Sequence, residues 1–317
     1  MKLQTTVAAS NWTEPISHGQ AVFLMGSCFT ENIGLRLDKA GFHTTINPHG
    51  ITFNPISICQ GIQDLIEGRS IEAEELVERD GVWQHWDFHS ALSGLDKKES
   101  AKAMTKAISE GREALQAASH LILTLGTAWV YELADSKGAV VNNCHKFPAG
   151  DFKRRRLGTE EIYASISNMI VSLQQFNPGI QLVFTLSPVR HWKDGAEDNS
   201  VSKASLRLAI DQLCSEFAQA IYFPAYEILM DELRDYRFYA DDMLHPNRLA
   251  QEIIWERFTQ AAISEKGQAI AKEVESLNRM KAHRSLHSGS SADIEFKEKL
   301  AQKEEALKRG YPEVYLG

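Results

Sequence analysis

Short, continuous apolar runs recur along the first 223 residues of this chain, and they constrain its fold more than any other feature. Ala21–Met25 (AVFLM), Phe42–Ile46, Leu121–Leu125 (LILTL), Leu182–Leu186 (LVFTL) and Ala220–Phe223 (AIYF) each read as a strand. Runs that lack polar alternation suit parallel strands covered on both faces. Between them lie segments with helical spacing: Thr30–Ala40, Ser57–Glu67, Glu99–Ala118, Glu160–Gln175, Ser202–Ala218 and Pro246–Ile263. This alternation predicts a doubly wound α/β sheet. Gly41 behind the first helix and Pro246 at the head of the last supply the expected stop and start chemistry.

Two regions depart from the rhythm. Trp83–Phe88 (WQHWDF), and the pair Trp129–Leu133 and Ala139–Asn142 joined through DSKG, read as an added hairpin or small antiparallel flap that covers a site. Beyond Ser264 the chain turns charged, with a helix through Lys281, a loop at RSLHSGSSAD and an exposed helix over Ile294–Lys308. The expected organisation is a main domain over 1–263 and a charged helical extension over 264–317.

Composition narrows the function classes. With 43% apolar and 24% charged residues the chain has ordinary globular usage. The balance of 34 Lys+Arg against 42 Asp+Glu leaves a net charge of −8, without the broad positive field that duplex nucleic acid demands. Cys28, Cys59, Cys144 and Cys214 show neither paired metal-finger spacing nor a dense disulfide framework, so they read as reduced thiols. The opening MKLQTTVAASNWTEP has no apolar stretch of signal-peptide length, and the later apolar runs are too short to span a bilayer. A soluble, cytoplasmic protein is the expectation.

The first strand ends in Gly26-Ser27-Cys28-Phe29 and a helix follows at once, at the carboxyl edge where open α/β sheets bind ligands. A thiol in the first helical turn feels unsatisfied N–H groups and the positive end of the helix dipole, which favour a nucleophilic thiolate. Cys28 is therefore a candidate nucleophile. Ser27 is its rival, as an attacking hydroxyl or as a helix cap, and a buried structural cysteine is the alternative for Cys28. Far downstream comes Asp242-Met243-Leu244-His245-Pro246-Asn247, where the carboxylate can hold one imidazole nitrogen while the other faces a site. Its plain alternative is a helix-capping Asp beside a polar loop His.

These blocks, together with LTLGTAWVYE, VVNNCHKFP and TLSPVRH, resemble the GSCFA-domain family, itself similar to the SGNH or GDSL-type esterases and acyltransferases. The likeness covers Ala21 to Trp255, with Thr30 where the family motif has alanine. It implies a three-layer α/β/α, flavodoxin-like fold with five parallel strands. Laid over the Gly-Asp-Ser block of SGNH enzymes, Gly26-Ser27-Cys28 puts Cys28 in the place of the nucleophilic serine. Asp242 and His245 match the closing Asp-x-x-His without a gap, implying His245 as general base and Asp242 as its orienter. For the oxyanion donors the likeness points to Gly50 and to Gly126-Thr127. The asparagine that relatives carry after that second glycine is missing, so Thr127 or Asn143 would donate instead.

His145 in NNCHK, and Arg190 and His191 in SPVRH, complete the candidate substrate contacts; Arg190 can hold a carboxylate or phosphate, or the Arg-His pair can tie loops together. The reading is hydrolysis or transfer of an acyl group from an ester or thioester, with a small-molecule or carbohydrate substrate or acyl-CoA as donor. Its rival is a carbohydrate- or anion-binding protein that keeps the fold without turnover. No metal or other cofactor is expected. His85 and His89 have zinc spacing only if helical, while Trp83, Trp86 and Phe88 around them read as strand or loop. No dinucleotide-type glycine cradle follows the first strand. The basic run Lys153-Arg154-Arg155-Arg156 reads as a solvated face, or as an anion contact for a CoA-like phosphate.

Overall fold

The computed structural model describes residues 5–135, 138–283, 287 and 289–316. Residues 136–137 of the expected DSKG turn, and 284–286 and 288 of the expected loop, lie outside them. Five parallel strands form the central sheet: β1 (Ala21–Gly26), β2 (His43–Ile46), β5 (Ala118–Leu125), β9 (Gln181–Leu186) and β10 (Ala220–Phe223). Their spatial order is β10-β9-β5-β1-β2, which in chain order of the sheet strands alone is the flavodoxin-like 2-1-3-4-5. Every parallel pair keeps its register except for one irregularity at Ala21/Val22, where β1 meets β5.

The strands are apolar throughout because both faces are covered, and successive side chains divide between two cores. Phe23 and Met25 point to one side, with Leu121, Leu123 and Phe184, against helices α2 (Pro55–Glu67), α3 (Lys97–Ala117), α4 (Thr159–Phe176) and α5 (Gly195–Glu216). Val22 and Leu24 point to the other, with Ile122 and Val183, against α1 (Cys28–Lys39) and α7 (Arg248–Ala262). Removing one such buried Leu or Phe side chain costs about 2–5 kcal/mol. Asn32 and Gln251 bond across the amino-terminal turns of α1 and α7, so these two helix ends lie on the same rim of the sheet. That rim holds the site.

The expected strands and helices are all present, with shifted ends. The largest shift is α5, which begins at Gly195 rather than Ser202, because its first turns are polar and gave no apolar period to read. Pro246 precedes the last helix rather than opening it, and Asn247 is the cap, its side chain accepting from Ala250 N at 3.1 Å.

The additions are two separate sheets. Strands β3 (Val77–Arg79) and β4 (Val82–Gln84) form a hairpin. Strand β6 (Trp129–Leu133) pairs with β7 (Val140–Val141) on one side and with β8 (Phe152–Arg156) on the other. The basic run is thus a flap strand, in which Lys153 and Arg156 are exposed and Arg154 and Arg155 are partly buried. Arg155 bonds Glu132 at 2.6 Å and Glu161 at 2.7 Å, Arg156 bonds Asp198 at 2.9 Å, and Arg154 pairs with Asp194 while lying over the Trp129 ring. These three guanidinium groups are matched to carboxylates, while Lys153 stays exposed.

Past Ser264 the chain forms α8 (Glu265–Lys281) and α9 (Ser291–Gly310), which share a small core of Ile270, Val274 and Leu307. The extension docks on α1: Asn278 donates to Lys39 O at 2.8 Å, and Tyr315 N to Gly41 O at 2.9 Å. Among the described residues no helix is long and apolar enough to cross a membrane.

Candidate active site

The site begins where β1 turns into α1. Gly26 has φ of +144°, and a Cβ there would stand 2.3 Å from Thr124 O of the adjacent strand, so only glycine fits. Its peptide groups are pinned: Gly26 N donates to Asn47 Oδ1 at 2.8 Å, and Gly26 O accepts from Thr52 N at 3.0 Å. Asn47, itself at φ of +46°, was not among the residues the sequence suggested. Its signal was there in the turn Asn47-Pro48-His49-Gly50, because asparagine tolerates the left-handed region and bonds backbone locally.

Ser27 is buried and caps α1, its Oγ accepting from Phe29 N at 3.3 Å. Cys28 follows at the first helical position and is half-buried. Burial pushes the Cys28 thiol above its ordinary value, helped by the Glu31 carboxylate. The N–H groups of Phe29 and of Cys28 itself, with Lys203, pull the other way and do not overcome burial. The helix-end position alone therefore does not yield the resting thiolate that a dipole argument predicts.

The suggested oxyanion donors point inward. Gly50 N donates to Asn47 O at 2.7 Å, and Gly126 N and Thr127 N both donate to Phe53 O, at 2.8 and 3.1 Å. The Thr127 hydroxyl accepts from Trp129 N and shares a bond with Ser202 Oγ at 3.2 Å. Asn143 is spent within the flap turn, its Oδ1 accepting from His145 N and its Nδ2 reaching Ser90 Oγ at 3.3 Å. His145 is buried, with Nε2 donating to His85 O at 2.8 Å and Nδ1 against Ser90 Oγ at 3.1 Å, and burial lowers its pKa. It pins two loops with its neutral ring. His85 and His89 use their Nδ1 atoms to accept from Asp87 N and Ala91 N. Among the described residues no group of three or more His, Cys, Asp or Glu side chains is arranged to hold a metal.

The second half of the site is the loop before α7. Asp242 Oδ1 accepts from Leu244 N and His245 N at 3.0 and 2.9 Å, while Oδ2 meets His245 Nδ1 at 2.5 Å. The two backbone N–H groups, then the imidazole, hold the Asp242 carboxyl down at about 2. The His245 ring is half exposed, and its Nε2 has no protein partner among the described residues. This loop is tied to the start of α1. Asn32 Nδ2, one turn beyond Cys28, donates to Gln251 Oε1 at 2.9 Å, and Gln251 Nε2 donates to Pro246 O at 3.0 Å.

Arg190 follows β9 with its Nε against Met230 Sδ at 3.4 Å, and it lines a pocket of about 470 Å³ with Trp192, Tyr239, Asp242 and Met243. His191 lines a second cleft of about 420 Å³ under the flap, with Phe53, Thr127, Trp129, Tyr131 and Asn143. A larger groove of about 570 Å³ lies between α1, α8 and Tyr315, and none of these three cavities is lined by Cys28 or His245.

Two residues at this rim were missed from sequence. Asp194, its side chain 1% exposed, stands 3.3 Å from His191 Nδ1 and also pairs with Arg154. Lys203 is buried on α5 with its ammonium on the carbonyls of Gly126 and Ser187.

A five-stranded flavodoxin-like sheet with a helix-end thiol and an Asp-x-x-His loop on its carboxyl rim defines an α/β/α protein built to present polar groups at strand ends. The chain matches the family model described as the GSCFA family over residues 21–258, and it belongs to that family. Similar solved structures include a carbohydrate esterase family 3 protein from Talaromyces cellulolyticus, at 10% identity over 80% of this chain and 99% of that one, TM-score 0.39. A carbohydrate esterase family 2 enzyme from Corynascus thermopiles (Myceliophthora fergusii) matches at 9% identity over 84% and 68% of the two chains, TM-score 0.36. A family two carbohydrate esterase from Clostridium thermocellum, in complex with cellohexaose, matches at 8% over 78% and 65%, TM-score 0.35. A comparison with curated protein sequences gives no match.

Proposed function

We propose that this protein hydrolyses or transfers an acyl group, with Cys28 as nucleophile and His245, steered by Asp242, as general base. The observation that carries the reading is the Asn32–Gln251–Pro246 bridge, which joins the turn after Cys28 to the loop that holds His245. In the reaction the Cys28 S–H proton passes to His245 Nε2 and the sulfur attacks the acyl carbonyl. The carbonyl reforms as the C–O or C–S bond to the leaving group breaks, and that group takes the proton from His245. Water or an acceptor hydroxyl then attacks the thioester, gives its proton to His245, and releases the acyl group as the sulfur is reprotonated. The backbone N–H of Cys28 is the donor best placed for the oxyanion, since those of Phe29, Thr30, Gly50, Gly126 and Thr127 are engaged. The aromatic walls of the cleft under the flap suit the faces of a sugar ring, so an acylated carbohydrate is the favoured substrate, with acyl-CoA as a donor for transfer.

The test is intact-protein mass after exposure to short activated esters and to acyl-CoA. An acyl adduct is expected on wild type, absent in Cys28→Ala, retained in Ser27→Ala and slow to form in His245→Ala. An adduct that persists in Cys28→Ala removes the cysteine assignment. The engaged N–H groups and the raised thiol favour a second reading, a carbohydrate- or anion-binding protein that uses Arg190. It requires ligand-dependent thermal stabilisation that survives Cys28→Ala, with no adduct from any donor.

A further inference from the structure

The cleft that Arg190 shares with Asp242 carries a chemistry that the reaction above leaves unused. Residues 190–193 form a partition: Arg190 and Trp192 line this cleft of about 470 Å³, while His191 and Lys193 line the one under the flap. Another wall is the single turn Tyr236–Phe238. Asn247, the cap of α7, ties that turn to the Asp242–His245 loop. Its Nδ2 donates to Arg237 O at 2.6 Å and to Tyr239 O at 3.3 Å, and its backbone N donates to Phe238 O at 2.9 Å. Ala240 N donates to His245 O at 2.8 Å and closes the loop that presents Asp242. The cleft and the Asp–His pair are therefore held as one piece.

Two features of the cleft point to a ligand. The first is apolar surface left in water: Trp192, Tyr236 and Met243 are 49%, 76% and 52% exposed and line the same cavity, and grouped exposure of this kind marks a contact surface. Met243 is kept there at φ of +59°, in the left-handed region that a long side chain seldom adopts, by the bonds of Asp242 Oδ1 to Leu244 N and His245 N. The second is unmatched positive charge. Arg190 and Arg234 both line the cavity, and among the described residues neither guanidinium meets a carboxylate; Arg190 has only the weak thioether acceptor of Met230. The flap arginines, by contrast, are all ion-paired. The carboxylates that line this cleft are engaged elsewhere, Asp235 with Arg237 at 2.9 Å to its backbone N and 3.4 Å to its Nε, and Asp242 within its own loop.

We propose that this cleft binds an acidic sugar residue, its carboxylate or phosphate taken by the guanidinium groups of Arg190 and Arg234 and its ring laid against Trp192 and Tyr236. A planar guanidinium gives two parallel bonds to either anion, and a hexose ring offers C–H faces to the aromatic side chains. A neutral sugar leaves both charges unmatched. The inference rests on the proposed function for its place in the reaction: the acidic residue belongs to the carbohydrate that carries or accepts the acyl group, and it lies across the 190–193 partition from the residue held under the flap.

The experiment is isothermal titration calorimetry of the full chain with glucuronate, glucose-6-phosphate, glucose and inorganic phosphate. At least one acidic sugar is expected to bind roughly 10–100-fold more tightly than glucose, the range for hydrogen bonds to a charged group, and more tightly than inorganic phosphate. Arg190→Gln and Arg234→Gln are each expected to lose about tenfold or more of that preference, and Tyr236→Ala to weaken the acidic sugar and glucose alike. Glucose bound as tightly as both acidic sugars overturns the proposal, as does a preference that survives in both glutamine variants. Inorganic phosphate bound as tightly as glucose-6-phosphate removes the ring contact. Coenzyme A bound through Arg234 while neither acidic sugar binds would replace the sugar by a nucleotide and overturn the proposal too. If Arg190→Gln does not fold, the exposed Arg234 decides through its own variant. None of these readouts consumes an ester: selective binding without any acyl adduct removes only the proposed acyl chemistry, and adducts without selective binding remove only this inference.

Discussion

Two Asp–His pairs of mirrored spacing stand on the carboxyl rim, and they are built on opposite principles. In the Asp242–His245 pair both side chains are about half exposed, and the carboxylate is fixed by two backbone N–H bonds. In the His191–Asp194 pair the carboxylate is buried and shared with Arg154, which in turn lies between the Trp129 and Tyr131 rings of the flap. An imidazole that must exchange protons with a substrate needs an orienter that leaves one nitrogen free and the ring in contact with solvent or ligand. The local bonds of Asp242 suit that role in the proposed reaction and cost the fold little. Asp194 serves another: it joins the flap strand to the loop after β9, and His191 is carried along. Burial lowers the His191 pKa even though Asp194 opposes the shift, which favours a neutral ring.

The largest expected difference between the pairs is in turnover. His245→Ala should lower kcat/KM for an activated ester by roughly 10²–10⁴-fold, the range for loss of a positioned general base. His191→Ala should cost less than about tenfold and appear in KM, as for a substrate contact. Steady-state kinetics on the two variants checks this, and the reverse order would make His191 the base. Stability should rank them the other way. Asp194→Asn leaves the Arg154 charge half-stranded beneath the flap and should cost about 3–5 kcal/mol in urea unfolding. Asp242→Asn should lower the unfolding midpoint at neutral pH only slightly, because its loop is exposed and solvent screens what the carboxylate contributes. Equal losses would show that both pairs are structural.

The difference also explains what the sequence disclosed. Asp242 and His245 lie three residues apart in one loop, so their bond is a local fact that spacing alone exposes. The apolar runs disclosed the sheet for a similar reason, since burial on both faces is written into every position of β1, β5 and β9. Arg154 and Asp194 are brought together only by the fold, and a run of four basic residues reads as solvated until its strand is seen to stack on Trp129. The spacing of His191 and Asp194 was legible, but nothing local marks Asp194 as buried. Lys203 left a clearer trace: it occupies the apolar stripe of α5, where an ordinary surface lysine does not belong. Gly50 and Gly126 were marked as donors by the family resemblance, and only the fold reveals that Asn47 O and Phe53 O already take their N–H groups.

The smallest expected effect separates the pairs by pH. His18, His85, His120, His145 and His191 are all held below the ordinary histidine value, in each case first by burial. A base whose folded pKa is depressed takes up its proton more readily when unfolded. Its contribution is complete above the unfolded value of about 6.5 and is lost as pH falls toward the folded one. The Asp242 carboxyl has the opposite chemistry and a different window: held at about 2, it contributes above the unfolded value of 3.8 and loses that contribution only as pH falls toward 2. Urea midpoints should therefore drop between about pH 7.5 and about pH 5 through the histidines alone. His145→Gln, whose amide can still donate to His85 O, should lower the midpoint at the upper pH and flatten the drop. Asp242→Asn should leave the slope as it is in wild type. A slope that flattens in Asp242→Asn would mean that the Asp242 contribution is not confined to lower pH, and the contrast between an exposed pair and a buried strut would no longer stand.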